Sequence, residues 1–169
     1  MTSGYVDLGE IGEPNIYKKY DNFRRLTYYR HSKFFEMAPM VKEIVSPIEI
    51  YLVKSDIITT TRIKFRYVDN YWIFFNEVIL INSEGDRVFF KIDPVNISRI
   101  AQGRGLVETA DIVLSLEKEL ELRKVLNDKE NVKMRFSGNH DDDYKLSSGV
   151  VSYLIEMFEF RDNILPKLQ

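Results

Sequence analysis

His140, Asp141, Asp142 and Asp143 stand in an unbroken row within RFSGNHDDDYKL, residues 135–146. Carboxylate oxygens backed by an imidazole nitrogen can hold a hard cation. The spacing works against it. A helix–loop–helix calcium site alternates its ligands and closes on a distal glutamate, and neither feature is present. In an extended chain, successive side chains point to opposite faces, so three adjacent aspartates do not converge on one ion. The stretch reads instead as the solvated loop of a late hairpin, with Phe136 and Leu146 inward and the acids outward. No metal or cofactor is assigned; a cation-dependent role at 140–143 is kept as an alternative.

A second stretch mixes cations and rings. Lys18, Lys19, Arg24, Arg25, Arg30, His31 and Lys33 interleave with Tyr17, Tyr20, Phe23, Tyr28, Tyr29, Phe34 and Phe35. Single-stranded nucleic acid is bound by such mixtures of stacking rings and cations, so a nucleic-acid-binding module over 17–35 is the runner-up reading. Against it stands a net charge of −2, from 24 basic and 26 acidic residues. No global field draws this chain to nucleic acid or to an anionic membrane. The plainer reading is a strand with its rings in the core and its cations on the rim. GRG at 103–105 could cradle an anion with backbone amides, but it reads as a plain loop.

Catalysis finds few residues. The chain has no cysteine, which excludes thiolate nucleophiles, disulfides and cysteine-type zinc sites. His31 and His140 sit in separate polar stretches, and no GxSxG, HExxH, P-loop or GxGxxG pattern occurs. Glu117, Glu119 and Glu121 are spaced two apart on an expected helix and so point apart. No catalytic residue is assigned, and a non-enzymatic protein is expected.

The elements that must position any site follow from periodicity. Residues 1–16, with three glycines and Pro14, read as an irregular arm before a single domain over 17–169. Phe23 to Tyr29 reads as a first strand, and residues 35–46 as a short helix begun near Pro39. From 48 to 92 the pattern is a meander. Ile63, Phe65 and Tyr67 alternate with Arg62, Lys64 and Arg66, which is the period of a sheet with one solvated face. YWIFFNEVILI (71–81) is apolar on both parities and reads as a central strand. NSEGD (82–86) reads as a hairpin loop with Gly85 in a left-handed position. Residues 93–105 read as a connection with one helical turn, and 106–114 as a short strand.

Ser115 reads as the cap of a helix running to about residue 127, with Leu116, Leu120, Leu122, Val125 and Leu126 on its apolar face. VKMRFSG (132–138) alternates again. Ser147 or Ser148 caps a closing helix, and with Ser147 as the cap, Leu146 and Val151 form a hydrophobic staple. The fold class is therefore α+β: an antiparallel sheet packed by the C-terminal helix and one further helix.

YWIFFNEVILINSEGDRVFFKI and VKMRFSGNHDDDYKLSSGVVSYLIEMF together resemble a module of bacterial proteins of unknown function, several of them exported or lipid-anchored. In that pattern a W-x-F-F strand leads into a hairpin. Later an RF-x-G strand is followed by a polar loop, a Y-x-L-S segment and a closing helix. The resemblance spans residues 48–165 and its motifs are structural. It implies a binding or structural role in the bacterial cell envelope, with a protein or a small ligand as partner. MTSGYVDLGE holds no apolar signal segment, so an exported setting requires a signal or lipid anchor in the native precursor; a cytoplasmic setting is the alternative. No apolar run reaches the length of a membrane span.

Overall fold

The computed structural model describes residues 6–7, 15–36, 46–103 and 105–168. In chain order these form β1 (Val6–Asp7), β2 (Ile16–Asp21), β3 (Leu26–His31), α1 (Lys33–Glu36), β4 (Ile48–Lys54) and β5 (Thr59–Asp69). There follow β6 (Glu77–Ile81), β7 (Arg87–Lys91), β8 (Ile97–Gln102), β9 (Gly105–Val113), α2 (Leu116–Leu126), β10 (Lys133–Ser137), β11 (Asp141–Lys145) and α3 (Ser148–Glu159). The strands make two antiparallel sheets. The larger has the order β1-β2-β3-β4-β5-β9-β8 and the smaller β11-β10-β6-β7. The molecule is α+β, as its alternation requires, although the single sheet expected divides into two.

Alternation decides the faces. Ile63, Phe65 and Tyr67 of β5 are fully buried, while Arg62, Lys64 and Arg66 line the outer face. The inner faces of the two sheets meet at Phe65 and Phe90, with ring centroids 5.0 Å apart, and at Tyr67 and Phe136, 5.7 Å apart. The α3 helix packs on β3 and β4 and α2 on β7. Each large side chain removed from water here contributes about 1.5–3 kcal/mol.

Both long helices begin as their capping residues dictate. Ser115 Oγ accepts from Lys118 N at 3.3 Å, and Ser147 Oγ from Val150 N at 3.2 Å. Leu146 and Val151 are both buried at the second cap. On α2 the buried face is Glu119, Leu122, Val125 and Leu126; Leu116 and Leu120, expected in the core, are exposed.

Several boundaries differ from the sequence reading. Within the stretch read as an irregular arm, Val6–Asp7 pairs with β2, and Ile16 opens β2 as a buried residue. The strand expected over 23–29 is a hairpin with a turn at residues 22–25. Asp21 makes that turn by accepting from Phe23 N at 3.0 Å and Arg24 N at 3.1 Å. Most of the short helix expected over 35–46 lies outside the described residues. In the 93–105 connection, the helical turn is confined to Pro94–Asn96, and β8 follows it.

The central strand expected over 71–81 exists only from Glu77. Residues 72–76 are irregular: a side chain takes the amides of Ile73 and Phe74, while Ile73 O accepts from Asn139 N and the backbone of Asn76 bonds Ser137 O and Ile92 N. Glu108, on β9 and fully buried, accepts from Ile73 N at 2.8 Å and Phe74 N at 2.9 Å. Arg99 pairs with the other carboxylate oxygen at 3.0 Å and lies over the Phe74 ring at 5.2 Å. Phe74 is left-handed, with φ +51°. Ile73 and Phe75 face inward and Phe74 is exposed; the buried parity then changes to Val78 and Leu80 in β6, which is why the run is apolar on both parities.

Candidate functional site

The acidic row is a strand, not a loop. Asp141–Asp143 begin β11, and the turn before them spans residues 138–140, with His140 exposed within it. Strand alternation sends Asp141 and Asp143 to the outer face, where Arg135 of β10 takes both. Its Nε and one terminal nitrogen bond Asp143 at 2.6 and 2.7 Å, and the other reaches Asp141 at 3.3 Å. Ser137 Oγ donates to Asp141 at 2.7 Å. The hydrogen bonds from Arg135 hold the Asp143 carboxyl below the ordinary range. Asp142 faces the other way, beside Tyr144. Among the described residues no group of three or more His, Cys, Asp or Glu could hold a metal ion.

The two histidines are far apart in role. His31 is fully buried. Its Nδ1 accepts from Lys33 N at 3.2 Å, so the other nitrogen carries the proton and donates to Glu156 at 2.7 Å. The ring stacks on Tyr153, centroids 4.7 Å apart. With both nitrogens engaged, His31 clasps β3 to α3.

The three helical glutamates diverge, as their spacing requires. Glu117 is exposed, and Glu121 pairs with Lys118 at 2.7 Å. Glu119 is buried between Arg123 and Arg161, at 2.9 Å from the first and 2.6 and 2.7 Å from the second. Burial opposes its ionisation, but the hydrogen bonds from Arg161 and Arg123 outweigh that and hold its carboxyl below the usual range. In GRG, Gly103 has φ +60° in the tight turn joining β8 to β9. Arg104 lies outside the described residues.

Sequence reasoning missed a cluster on the outer face of the large sheet. Tyr51 of β4 donates to both oxygens of Asp111 of β9, at 2.9 and 2.7 Å. Arg62 of β5 joins them, its Nε 3.0 Å from the Tyr51 oxygen and 2.9 Å from Asp111. Burial, and then Asp111, push the Tyr51 hydroxyl well up, so it stays protonated and serves as a donor. Burial lowers the Lys64 ammonium nearby, which lies over the Tyr51 ring at 5.2 Å. These groups come from three strands, so no sequence spacing announces them.

The basic aromatic stretch does not make a single platform. It folds into β2 and β3, and alternation divides its rings. Tyr29, His31 and Phe34 are buried. What remains in water gathers at one end of the large sheet. The β2–β3 turn (22–25) and the β4–β5 turn (55–58) lie side by side there, because Thr27 of β3 pairs with Lys54 of β4. Two strand spacings separate them, roughly 10 Å. Phe23 has a relative exposure of 102 %, Ile57 96 % and Ile58 64 %.

Polar side chains lock both turns. Asp21 holds the first as described above. In the second, Ser55 N donates to Ile58 O at 2.9 Å, and Ser55 Oγ accepts from Ile57 N and Ile58 N at 3.3 and 3.1 Å. Arg24 and Arg25 follow Phe23, and Arg25 is left-handed with φ +53°. At this end of the sheet lies a cavity of about 300 Å³ lined by Tyr20, Arg25, Thr27, Tyr29, Lys54, Ser55 and Asp56. Behind them, on the outer face, a groove of about 460 Å³ opens among Arg24, Tyr28, Tyr51, Arg62 and Val113. Asp-Asn and Ser-Asp before these apolar residues were the turn signals in the sequence.

No protein-family model matches the chain, nor does any curated protein or solved structure. Among the described residues no helix is long and apolar enough to cross a membrane.

Proposed function

We propose that this chain is a non-enzymatic binding or structural protein of the bacterial cell envelope. It makes its contact through the end of the large sheet where the two hairpin turns project. The observation that carries the reading is Phe23, held fully in water on a locked turn beside Ile57. Several large apolar side chains left in water at one end of the fold, with polar residues around them, support a contact surface there.

The interior supports the non-enzymatic half. Glu49 is bound by Arg30, Glu108 by Arg99 and two amides, and Glu119 by Arg123 and Arg161. His31 spends both nitrogens on structural partners. None of these groups is a base facing a nucleophile, which is the pairing that acyl-transfer and hydrolytic chemistry needs. The envelope setting rests on the resemblance of residues 48–165 to a module of exported and lipid-anchored proteins.

Fractionation of the source cells tests the setting: the protein is expected with the envelope, and recovery in the cytosol overturns it. A panel of simple hydrolase substrates tests the rest. Turnover abolished by one point substitution would overturn the non-enzymatic reading.

A further inference from the structure

We infer that the projecting sheet end docks on a bilayer containing anionic lipid, with Phe23, Ile57 and Ile58 entering the interface and Arg25 and Lys54 receiving a headgroup phosphate between them. This deepens the reading above and rests on it, since it names the partner of the same surface.

Shape is the first argument. Phe23 and Ile57 stand on separate convex turns, each exposed almost as an isolated side chain. A protein partner would have to offer two matched pockets. A bilayer interface accepts separate apolar side chains at one depth without any shape match. Both turns close the same end of one sheet, so a single approach brings both tips to that depth.

Charge is the second. Arg24, Arg25 and Lys54 surround the tips, against Asp21 and Asp56. Three cations against these two carboxylates leave the local balance positive, although the whole chain is not. Arg25 also occupies a left-handed backbone position that glycine adopts without strain. Its guanidinium lines a cavity together with the Lys54 ammonium and the Asp56 carboxylate. A guanidinium beside an ammonium suits a phosphate, which the guanidinium can bind through two parallel hydrogen bonds. Basic residues at a membrane surface add attraction that salt screens.

The test is co-sedimentation of the purified chain with vesicles. Wild type is expected to sediment with equimolar phosphatidylcholine and phosphatidylglycerol, not with phosphatidylcholine alone, and less at high salt. Phe23→Ser with Ile57→Ser should weaken binding roughly tenfold or more, with an unchanged thermal midpoint because neither residue is packed. Arg25→Ala and Lys54→Ala should each cost roughly fivefold. Phe23→Trp should shift its emission to the blue on adding the mixed vesicles, above the signal of Trp72.

Wild type left in solution by both vesicle types overturns the inference. So does sedimentation undiminished in Phe23→Ser with Ile57→Ser. Retention of a single-stranded oligonucleotide by a chain that ignores vesicles would assign the same end to nucleic acid, and overturns it equally. Because the vesicles are synthetic, such failures leave the envelope setting to the cell fractionation.

Discussion

Gly138 lies against the backbone of Phe74 so closely that a β-carbon at Gly138 would sit 2.8 Å from the Phe74 carbonyl carbon, and nearer still to the carbonyl oxygen of Ile73. Real β-carbons do not approach backbone this way, so one of the two segments must move. Asn139 N also donates to Ile73 O at 2.7 Å, which anchors the irregular segment to the β10–β11 turn. Gly138→Ala should therefore destabilise the protein by roughly 1–3 kcal/mol. Urea denaturation measures it, and a midpoint unmoved from wild type would mean that the segment shifts freely.

Glu108 holds the same segment from the other side. Removing the carboxylate leaves Arg99 without its partner and two amides unsatisfied. Glu108→Ala is expected to cost roughly 3–5 kcal/mol, the range for breaking a buried ion pair. Trp72 adjoins the two amides, so its emission should change in the folded variant. An unaltered emission spectrum would show that Glu108 does not position the segment.

The Tyr67 hydroxyl is buried with no hydrogen-bond partner among the described residues. Tyr71 is close, its ring centroid 6.4 Å away, but edge-on. Burial, and then the neighbouring Tyr71 side chain, push the phenol's titration well up, so it is a neutral polar group whose burial costs free energy. Tyr67→Phe removes that cost while keeping the ring between Tyr71 and Phe136. A gain of about 1 kcal/mol is expected in chemical denaturation; a loss of that size would reveal a partner for the hydroxyl.

Glu119 makes the fold acid-sensitive. Its folded carboxyl titrates below the ordinary 4.5, so between the two values the unfolded chain binds more protons. The stabilisation is complete above pH 4.5 and is lost as pH falls through the folded-state value. Glu119→Gln should cost about 2 kcal/mol at neutral pH and shallow the fall in stability on the acid side. Asp143 and Asp128, lowered by hydrogen bonds from Arg135 and Ser83, keep the remainder of that response. Stability measured against pH for both proteins decides it; parallel curves would dismiss Glu119 as the source.

Much of the frame was legible because it rests on short-range rules. Ile63, Phe65 and Tyr67 announced their face by alternation, and Ser115 and the pair Ser147 and Ser148 announced helix starts by type, the structure choosing Ser147. Gly85, at φ +91°, turned where a left-handed residue was expected. The failures share a cause. Trp72 to Phe75 read as strand because apolar residues on both parities signal burial on both faces, yet Glu108, 35 positions from Ile73, takes the amides of Ile73 and Phe74. Asp141 to Asp143 read as loop because a run of acids after Gly138 and Asn139 suits a solvated turn, yet Arg135 on the neighbouring strand neutralises two of them. Phe23 read as a core strand residue although Asp21, two positions before it, closes a turn on its amide.

Local physics in the sequence thus determined the class of fold, the helix caps, the faces of β5 and β10, and the exclusion of cysteine chemistry. Only the tertiary structure decided that the strands divide into two sheets and that the buried acids meet arginines. It also decided that residues 22–25 and 55–58, 30 or more positions apart, close the same end of one sheet. Periodicity reports which side of its own element a residue faces. It carries no information on which elements become neighbours, and the surface proposed for contact exists only through such a neighbourhood.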